Sequence, residues 1–359
     1  MKKLVLVILK IFAAILLIAT ILITALLTVV SIREYKPDEW EQIPVVSSAS
    51  AEEVILPGDA LRIVSWNAGY GALGDNADFF MDYGTMVYTA DEQRVSENLD
   101  GITATLAEIN PDIILLQETD INSSRSYHTN EAELISGVLT EYDYTFAHNF
   151  KVDYIPYPVP PIGKVESGLM TLSRYPIASA ERIQLPCPFK WPVRCLNLKR
   201  CLSVNRIPVE GTDKELVIVN LHLEAYDEGE GKIAQTRMLA DFLQTEAAAG
   251  NYVIAGGDFN QTFSSTDDSA YPEYEGKWHC GLLDESEFGE LLSFYQDPSY
   301  PTCRSLDKPL AGADRDTFQY YVIDGFIVSN NIEVTSVETL DYMFKCTDHN
   351  PVVIDVILN

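Results

Sequence analysis

"NYVIAGGDFNQT", residues 251–262, carries the reading of the whole chain. A mostly apolar run enters two glycines and then presents Asp258, Phe259 and Asn260. The run predicts a buried strand. If the chain stays extended past its end, the Asp258 carboxylate and the Asn260 amide share one face. Gly, Asp and Asn also dominate turns for backbone reasons, so the same letters fit a plain loop. The rest of the chain decides between the two.

Similar apolar runs recur as "LRIVSWN" (61–67), "DIILLQE" (112–118), "GLMTLS" (168–173), "ELVIVNLHL" (215–223), "YYVIDGFIVS" (320–329) and "PVVIDVIL" (351–358). Each is short and bounded by polar or turn residues, as buried strands are. Amphipathic helices are predicted over 96–109, stopped by Asn110-Pro111, and over 232–249, followed by Gly250. Strands interleaved with helices imply an α/β protein without strict βαβ alternation. Residues 122–165, with the proline-rich "DYIPYPVPPIGK", and residues 261–317 show little periodicity and read as long surface loops that shape a substrate site.

With 359 residues the chain has room for one large domain or two small ones, since a domain takes roughly 100 to 200 residues. Residues Ile11–Ile32 carry no charge, and at about 1.5 Å per residue they span roughly 33 Å, enough for a bilayer core. Lys2, Lys3 and Lys10 precede the run, whereas Arg33 and Lys36 after it are mixed with Glu34, Asp38 and Glu39. That bias places the N-terminus in the cytoplasm and the remaining chain outside the cell. A cleaved signal peptide competes, but the run is long for one and no A-x-A-like site precedes Arg33. The division expected is a stub and transmembrane anchor (1–36), an acidic, proline-punctuated linker (37–59) and a catalytic domain (60–359).

Residues 1–36 hold five of the 25 Lys/Arg and one of the 53 Asp/Glu, which leaves 20 basic and 52 acidic groups, net −32, beyond them. Such a surface repels polyanions and argues against tight nucleic-acid binding by phosphate neutralisation. It does not exclude an enzyme that meets phosphate through a divalent cation. The six cysteines permit disulfides in an external domain, and the absence of any C-x-x-C pair argues against structural zinc.

Polar groups of metal-binding and proton-transfer type recur where these strands end. They are Asn67, Glu118, His222, Asp258, Asn260, Asp324 within its run, and Asp348-His349 just before the last strand. His128, His148 and His279 fall in predicted loops and are read as ordinary surface histidines. Glu118 with Asn67 offers hard oxygen ligands suited to Mg²⁺ or Mn²⁺, which complete their shell with water and phosphate. His349, oriented by a carboxylate such as Asp324, could activate water. Asp258 and Asn260 could position that water or the phosphoryl oxygens, and His222 could donate a hydrogen bond to developing charge. Together they describe metal-assisted phosphoester hydrolysis.

The ordered set "SWN", "QE", "SGLMTLS", "NLHL", "GGDFN", "YVIDGFIVS", "TDHNPV" resembles the endonuclease/exonuclease/phosphatase family over nearly all of residues 61–358. The resemblance implies a four-layer sandwich, two mostly antiparallel sheets with helices outside, and a site at one edge of the sheets. It implies that Asn67 and Glu118 form the metal pair with Asp348 beside them, and that Asp258 and Asn260 position phosphate and nucleophile. It also makes His349 the general base, Asp324 its orienting carboxylate, and His222 the second histidine. In nuclease members a glutamate pairs with that second histidine, and Glu166 stands near the corresponding position. His222 is similar to the deoxyribonuclease and sphingomyelinase members, whereas members that attack abasic DNA differ there. Within the basic stretch 190–206, Arg200 is a candidate phosphate contact.

The function expected is a membrane-anchored, divalent-metal-dependent phosphoesterase whose substrate is nucleic acid or a phospholipid head group, diester or monoester. Apolar residues at a loop tip facing the bilayer would favour lipid, and "YIPYPVPPI" offers one. An inactive binding module on the same scaffold is the alternative, and it would be expected to lack part of the set.

Overall fold

A computed structural model describes residues 2–48, 54–227 and 229–359. The apolar N-terminal run forms α1 (Lys2–Ile32), long and apolar enough to cross a membrane, with no residue buried against the rest. The chain then continues through β1 (Trp40–Gln42), β2 (Val45–Val46), β3 (Ala60–Asn67), α2 (Glu92–Ile109), β4 (Ile113–Asp120), α3 (Glu131–Val138), β5 (Asp143–Ile155) and β6 (Gly163–Ser173). There follow β7 (Ser179–Gln184), β8 (Cys201–Pro208), β9 (Glu215–His222), α4 (Glu230–Ala248), β10 (Tyr252–Asp258), β11 (Gln261–Phe263) and β12 (Gly281–Leu283). The last elements are β13 (Leu292–Tyr295), β14 (Cys303–Arg304), β15 (Tyr320–Tyr321), β16 (Asp324–Ser329), β17 (Ile332–Thr339) and β18 (Val352–Leu358).

Two seven-stranded sheets result, ordered β1-β7-β8-β9-β10-β16-β13 and β17-β18-β3-β4-β6-β5-β2. Each is antiparallel except for one central parallel pair, β9 with β10 and β3 with β4. Alternation along the central strands divides their side chains between two apolar layers. Ile63, Ile113, Ile218 and Ile254 meet between the sheets. Their neighbours Val217, Val219 and Val253 pack under Leu239 and Leu243 of α4, while Val64, Trp66 and Ile114 pack under Ile102, Leu106 and Ile135 of α2 and α3. The order helix, sheet, sheet, helix is the four-layer sandwich expected.

Towards one end of the sheets the inner faces turn polar. Gln117 Nε2 donates to Asn220 Oδ1 at 2.9 Å across the buried gap, tying one sheet to the other. The glycines at 256 and 257 are required there. A Cβ on Gly256 would crowd Phe326 of the paired strand β16 and Leu115 of the facing sheet, and one on Gly257, whose φ is +155°, would collide with the Leu221 carbonyl.

Five expectations change. The segment expected as a free linker is instead stitched to the domain as far as it is described. β1 pairs with β7, β2 pairs with β5, and Ile55 is buried against Val209, while residues 49–53 lie outside the described residues. Residues 122–165 are not a loop, because they contain α3 and the thirteen-residue β5, which pairs along β6. Residues 261–317 contribute four short strands, and the run 320–329 is divided into β15 and β16. All six cysteines are free, so no disulfide forms.

Gly257→Ala should lower stability by about 3 kcal/mol or more, because strained backbone and a steric clash coincide. Thermal unfolding checks it, with a fall of roughly 6 °C or more expected.

Candidate active site

The site forms where the alternation carries the inner faces of both sheets out to solvent. The parity that buries Ile218 places His222 at the mouth, and that of Ile254 places Asp258 there. Asp324 shares the parity of Phe326 and Val328, while Asn67 shares that of Ile63. Glu118 lies on the opposite parity from Leu115. A β-bulge between Leu116 and Thr119 and a left-handed φ of +51° turn it inward. Asn260 also has a left-handed φ, +52°, and its N–H donates to Asp258 Oδ1 at 2.9 Å. The chain therefore turns after Asp258 rather than staying extended, and both side chains still line the same cleft.

His349 and Asp258 are the centre of the cluster. Asp324 Oδ2 holds His349 Nδ1 at 2.8 Å, which leaves Nε2 facing Asp258 Oδ2 at 3.7 Å. Burial alone would lower the His349 pKa, but Asp324 and Cys303 together outweigh it and raise the imidazole well above its ordinary value. Burial and Asp324 push Asp258 up to about 7, against the opposing effects of His349, Asn260 and Asn67. His222 Nε2 lies 3.4 Å from the same Asp258 oxygen. Burial, Arg200 and His349 hold His222 well below its ordinary pKa, so it is a neutral imidazole.

A second group of carboxylates faces this one. Burial raises the Asp348 pKa, and Glu118 adds to the rise. Asp82, half-buried at the rim, is pushed up to about 7 by burial, with further contributions from Asp348 and Glu118. Three carboxylates converging inside a cleft are mutually repulsive unless a cation or protons stand between them. Asn67 joins the two groups, its Nδ2 donating to Glu118 Oε1 at 3.2 Å and to Asp258 Oδ2 at 3.1 Å. Its oxygen accepts from the Gly69 N–H at 3.0 Å, so Asn67 bridges the two carboxylates through its amide nitrogen. Compact sets of possible ligand atoms centre on His349: Cys303, Asp348 and His349, and Asp258, Asp324 and His349. In the second set Asp324 and His349 are already bonded to each other.

A family model for the endonuclease/exonuclease/phosphatase family matches residues 64–349. The chain belongs to that family. Among solved structures it is similar to an endonuclease/exonuclease/phosphatase from Beutenbergia cavernae, at 18% identity over 84% of this chain and 72% of that one, with a TM-score of 0.57. It is also similar to TDP2 from Caenorhabditis elegans (13%, 84% and 75%, TM-score 0.52) and to the human Nocturnin catalytic domain (17%, 88% and 98%, TM-score 0.51). At these identities the likeness shows the fold. No curated protein sequence is similar enough to count as a relative. Family membership makes this chain a phosphoester hydrolase of the metal-dependent class.

The endonuclease/exonuclease/phosphatase cleft measures about 420 Å³ and is walled largely by apolar side chains, among them Phe80, Tyr157, Ile162, Phe189 and Trp278. Arg200 lines it, is 4% exposed, and has no hydrogen-bond partner for Nε or Nη1. The other cations of the cleft are engaged: Arg125 with Asp120, Lys277 with Asp307, and Arg304 with the carbonyls of Ser305 and Gly74. Sequence reasoning found Arg200 from a basic stretch alone. It missed Asp82 and Cys303, and also Tyr226, whose hydroxyl donates to Asp82 at 3.2 Å across the rim. Asp82 and Tyr226 lie outside any long helix or strand and Cys303 sits in the two-residue β14, so no spacing flags any of them.

Glu166 is not the partner of His222. It pairs with Lys151 at 2.8 Å, Lys164 at 3.0 Å and His148 at 3.2 Å on the β5–β6 hairpin. His148 accordingly sits in a strand and not in a loop. Burial opposes ionisation of Glu166, but the two lysines win and hold its pKa down to about 2. A carboxyl depressed in the folded state stabilises above its unfolded pKa and loses that contribution as pH falls through the folded one. Glu166→Gln should therefore cost about 1 kcal/mol at pH 7 after solvent screening, and the deficit should vanish between about pH 4.5 and pH 2. Urea unfolding of both proteins across that range checks it, with turnover at pH 7 expected to be unchanged.

Proposed function

We propose that this protein is a membrane-anchored phosphodiesterase that hydrolyses a phospholipid head-group ester outside the cell, using Mg²⁺ or Mn²⁺. The observation that carries the reading is the Asp324–His349 bond in a cleft where the buried Arg200 guanidinium lacks an anion and the walls are apolar. A phosphate ester with a large apolar group matches those walls, whereas the net charge of −28 on the full chain disfavours a polyanionic nucleic acid.

Glu118 and Asp348 would hold the cation, since their mutual repulsion in a buried site is relieved by a divalent ion and carboxylates suit it. When bound, the cation supplies charge neutralisation to the phosphoryl oxygens. Once His349 is in its neutral form, Asp324 accepts from Nδ1–H and leaves the Nε2 lone pair to take the proton of an attacking water, which places the working range of this base on the alkaline side of an ordinary histidine. Asp258, within 3.7 Å of that nitrogen, is placed to orient the water. Arg200 and the neutral His222 meet the charge that builds on the phosphoryl oxygens, and Asn260, anchored by Nδ2 to the Leu223 carbonyl at 2.9 Å, lies beside them.

The test uses the full-length protein in detergent or nanodiscs on a panel of phospholipids, duplex DNA, RNA and a water-soluble phosphodiester. Lipid turnover abolished by EDTA and reduced about 10³-fold by His349→Ala supports the proposal. Turnover of DNA or RNA alone would replace the lipid reading with a nuclease, and no turnover on any member would replace it with a binding module. Asp324→Asn should lower kcat by about 10²- to 10⁴-fold with little change in KM, because the bond lost orients the base and does not touch substrate.

A further inference from the structure

The domain grips the end of α1. Trp191 Nε1 donates to Ser31 Oγ at 2.9 Å, and Arg33 pairs with Asp153 at 2.8 Å. One residue further, the Glu34 side chain is 3% exposed and accepts from Arg194 Nε at 2.8 Å and lies 3.4 Å from Lys199 Nζ. The segment leaving α1 is thus fixed to the loop before β8 and to the end of β5.

This grip sets the level of the domain against the span. Ser31 belongs to the uncharged run, so the Trp191 indole lies at the depth where the run ends, the layer in which Trp and Tyr collect at membrane surfaces. Around it stand other exposed apolar side chains. Val193 is 55% exposed, and the tip of the β5–β6 hairpin adds Tyr154, Tyr157 and Val159 at 54%, 70% and 94%. Asp153, the partner of Arg33, directly precedes Tyr154, which keeps this tip beside the end of α1. Of the basic residues here, Arg33, Lys36, Lys151 and Lys164 are paired with Asp153, Glu34 and Glu166. The exposed Lys190 adds a charge of the sign that anionic lipid attracts. The same two stretches wall the catalytic cleft, through Ile155 and Ile162 from the hairpin and Phe189 and Leu196 from the loop.

We propose that Tyr154, Tyr157, Val159, Trp191 and Val193 form a collar that lies in the interfacial layer of the bilayer that α1 crosses. The mouth of the cleft then opens onto the lipid surface, and the phosphoester enters from the bilayer without crossing bulk water. The docking rests on α1 being a membrane span. The entry route rests in addition on the phospholipid reading above.

The experiment uses the full-length chain in nanodiscs made with lipids brominated near the head group. Trp191 fluorescence is taken as the difference between wild type and Trp191→Phe, and Trp40, 55% exposed on β1, is obtained in the same way from Trp40→Phe. The Trp191 component should be quenched at least about twofold more than the Trp40 component. Equal quenching, or none, overturns the docking whatever the substrate proves to be. A second arm pairs Val159→Asp with Val193→Asp, since neither side chain lines the cleft. Turnover of phospholipid in bilayers should fall about tenfold while turnover of soluble bis(p-nitrophenyl) phosphate is unchanged. A parallel loss on both substrates, or no loss on either, overturns the entry route. If no lipid is turned over at all, the phospholipid reading fails and the quenching result still decides the docking.

Discussion

The alternation of side chains along a β-strand is the constraint on which this active site depends. Four central strands place isoleucines between the sheets, and the same two-residue period, continued to the strand ends, delivers His222 and Asp258 to the cleft, with Asn67 and Asp324 bonded behind them to Asp258 and His349. The site needs no separate scaffold. Where the period delivers a residue to the wrong face, as at Glu118, the fold accepts a bulge and a left-handed backbone, of the kind that costs on the order of 1 kcal/mol or more, to bring it back.

The buried polar layer behind the mouth keeps this geometry in place. Asn220 and Gln117 bond across the sheets, and Asn220 Nδ2 also donates to the carbonyls of Leu116 and Met170, at 3.1 and 3.0 Å. Asn67 and Thr347 continue the network outward to Glu118, Asp258 and Asp348. A network with this many satisfied members fixes the relative height of the two sheets. The separation between His222, Asp258 and Asp324 on one sheet and Asn67, Glu118, Asp348 and His349 on the other is thereby set by hydrogen bonds and not by apolar contact, which would tolerate sliding.

Much of the fold was legible because buried central strands are nearly continuous apolar runs. "YVIAGGD" matches β10 residue for residue, and "ELVIVNLHL" overshoots β9 by one. β5 was not legible, since "DYTFAHNFKVDYI" mixes histidine, lysine and aspartate into a strand whose outward side chains are only half-buried. β1 and β2 are too short to carry a period, and their pairing to β7 and β5 is decided by which sheet edges lie open. Most of the site residues could be read because several strand ends carried the same chemistry at once. The orientation of the Asn67 amide, the placement of Glu166 on a hairpin with two lysines, and the Asp82–Tyr226 contact depend on chain segments that meet only in three dimensions.

The pairing of β1 and β2 decides what a cut in the segment after α1 would do to the domain. These strands come directly after the helix and cover one edge of each large sheet. A protease cutting between Arg33 and Lys36 would release a domain with both edges still sealed. A cut after Val46 would free the two short strands to dissociate, and the backbone donors and acceptors of β7 and β5 would lie open to any extended chain nearby. A cut at the first position leaves these sheet edges covered, and a cut at the second uncovers them.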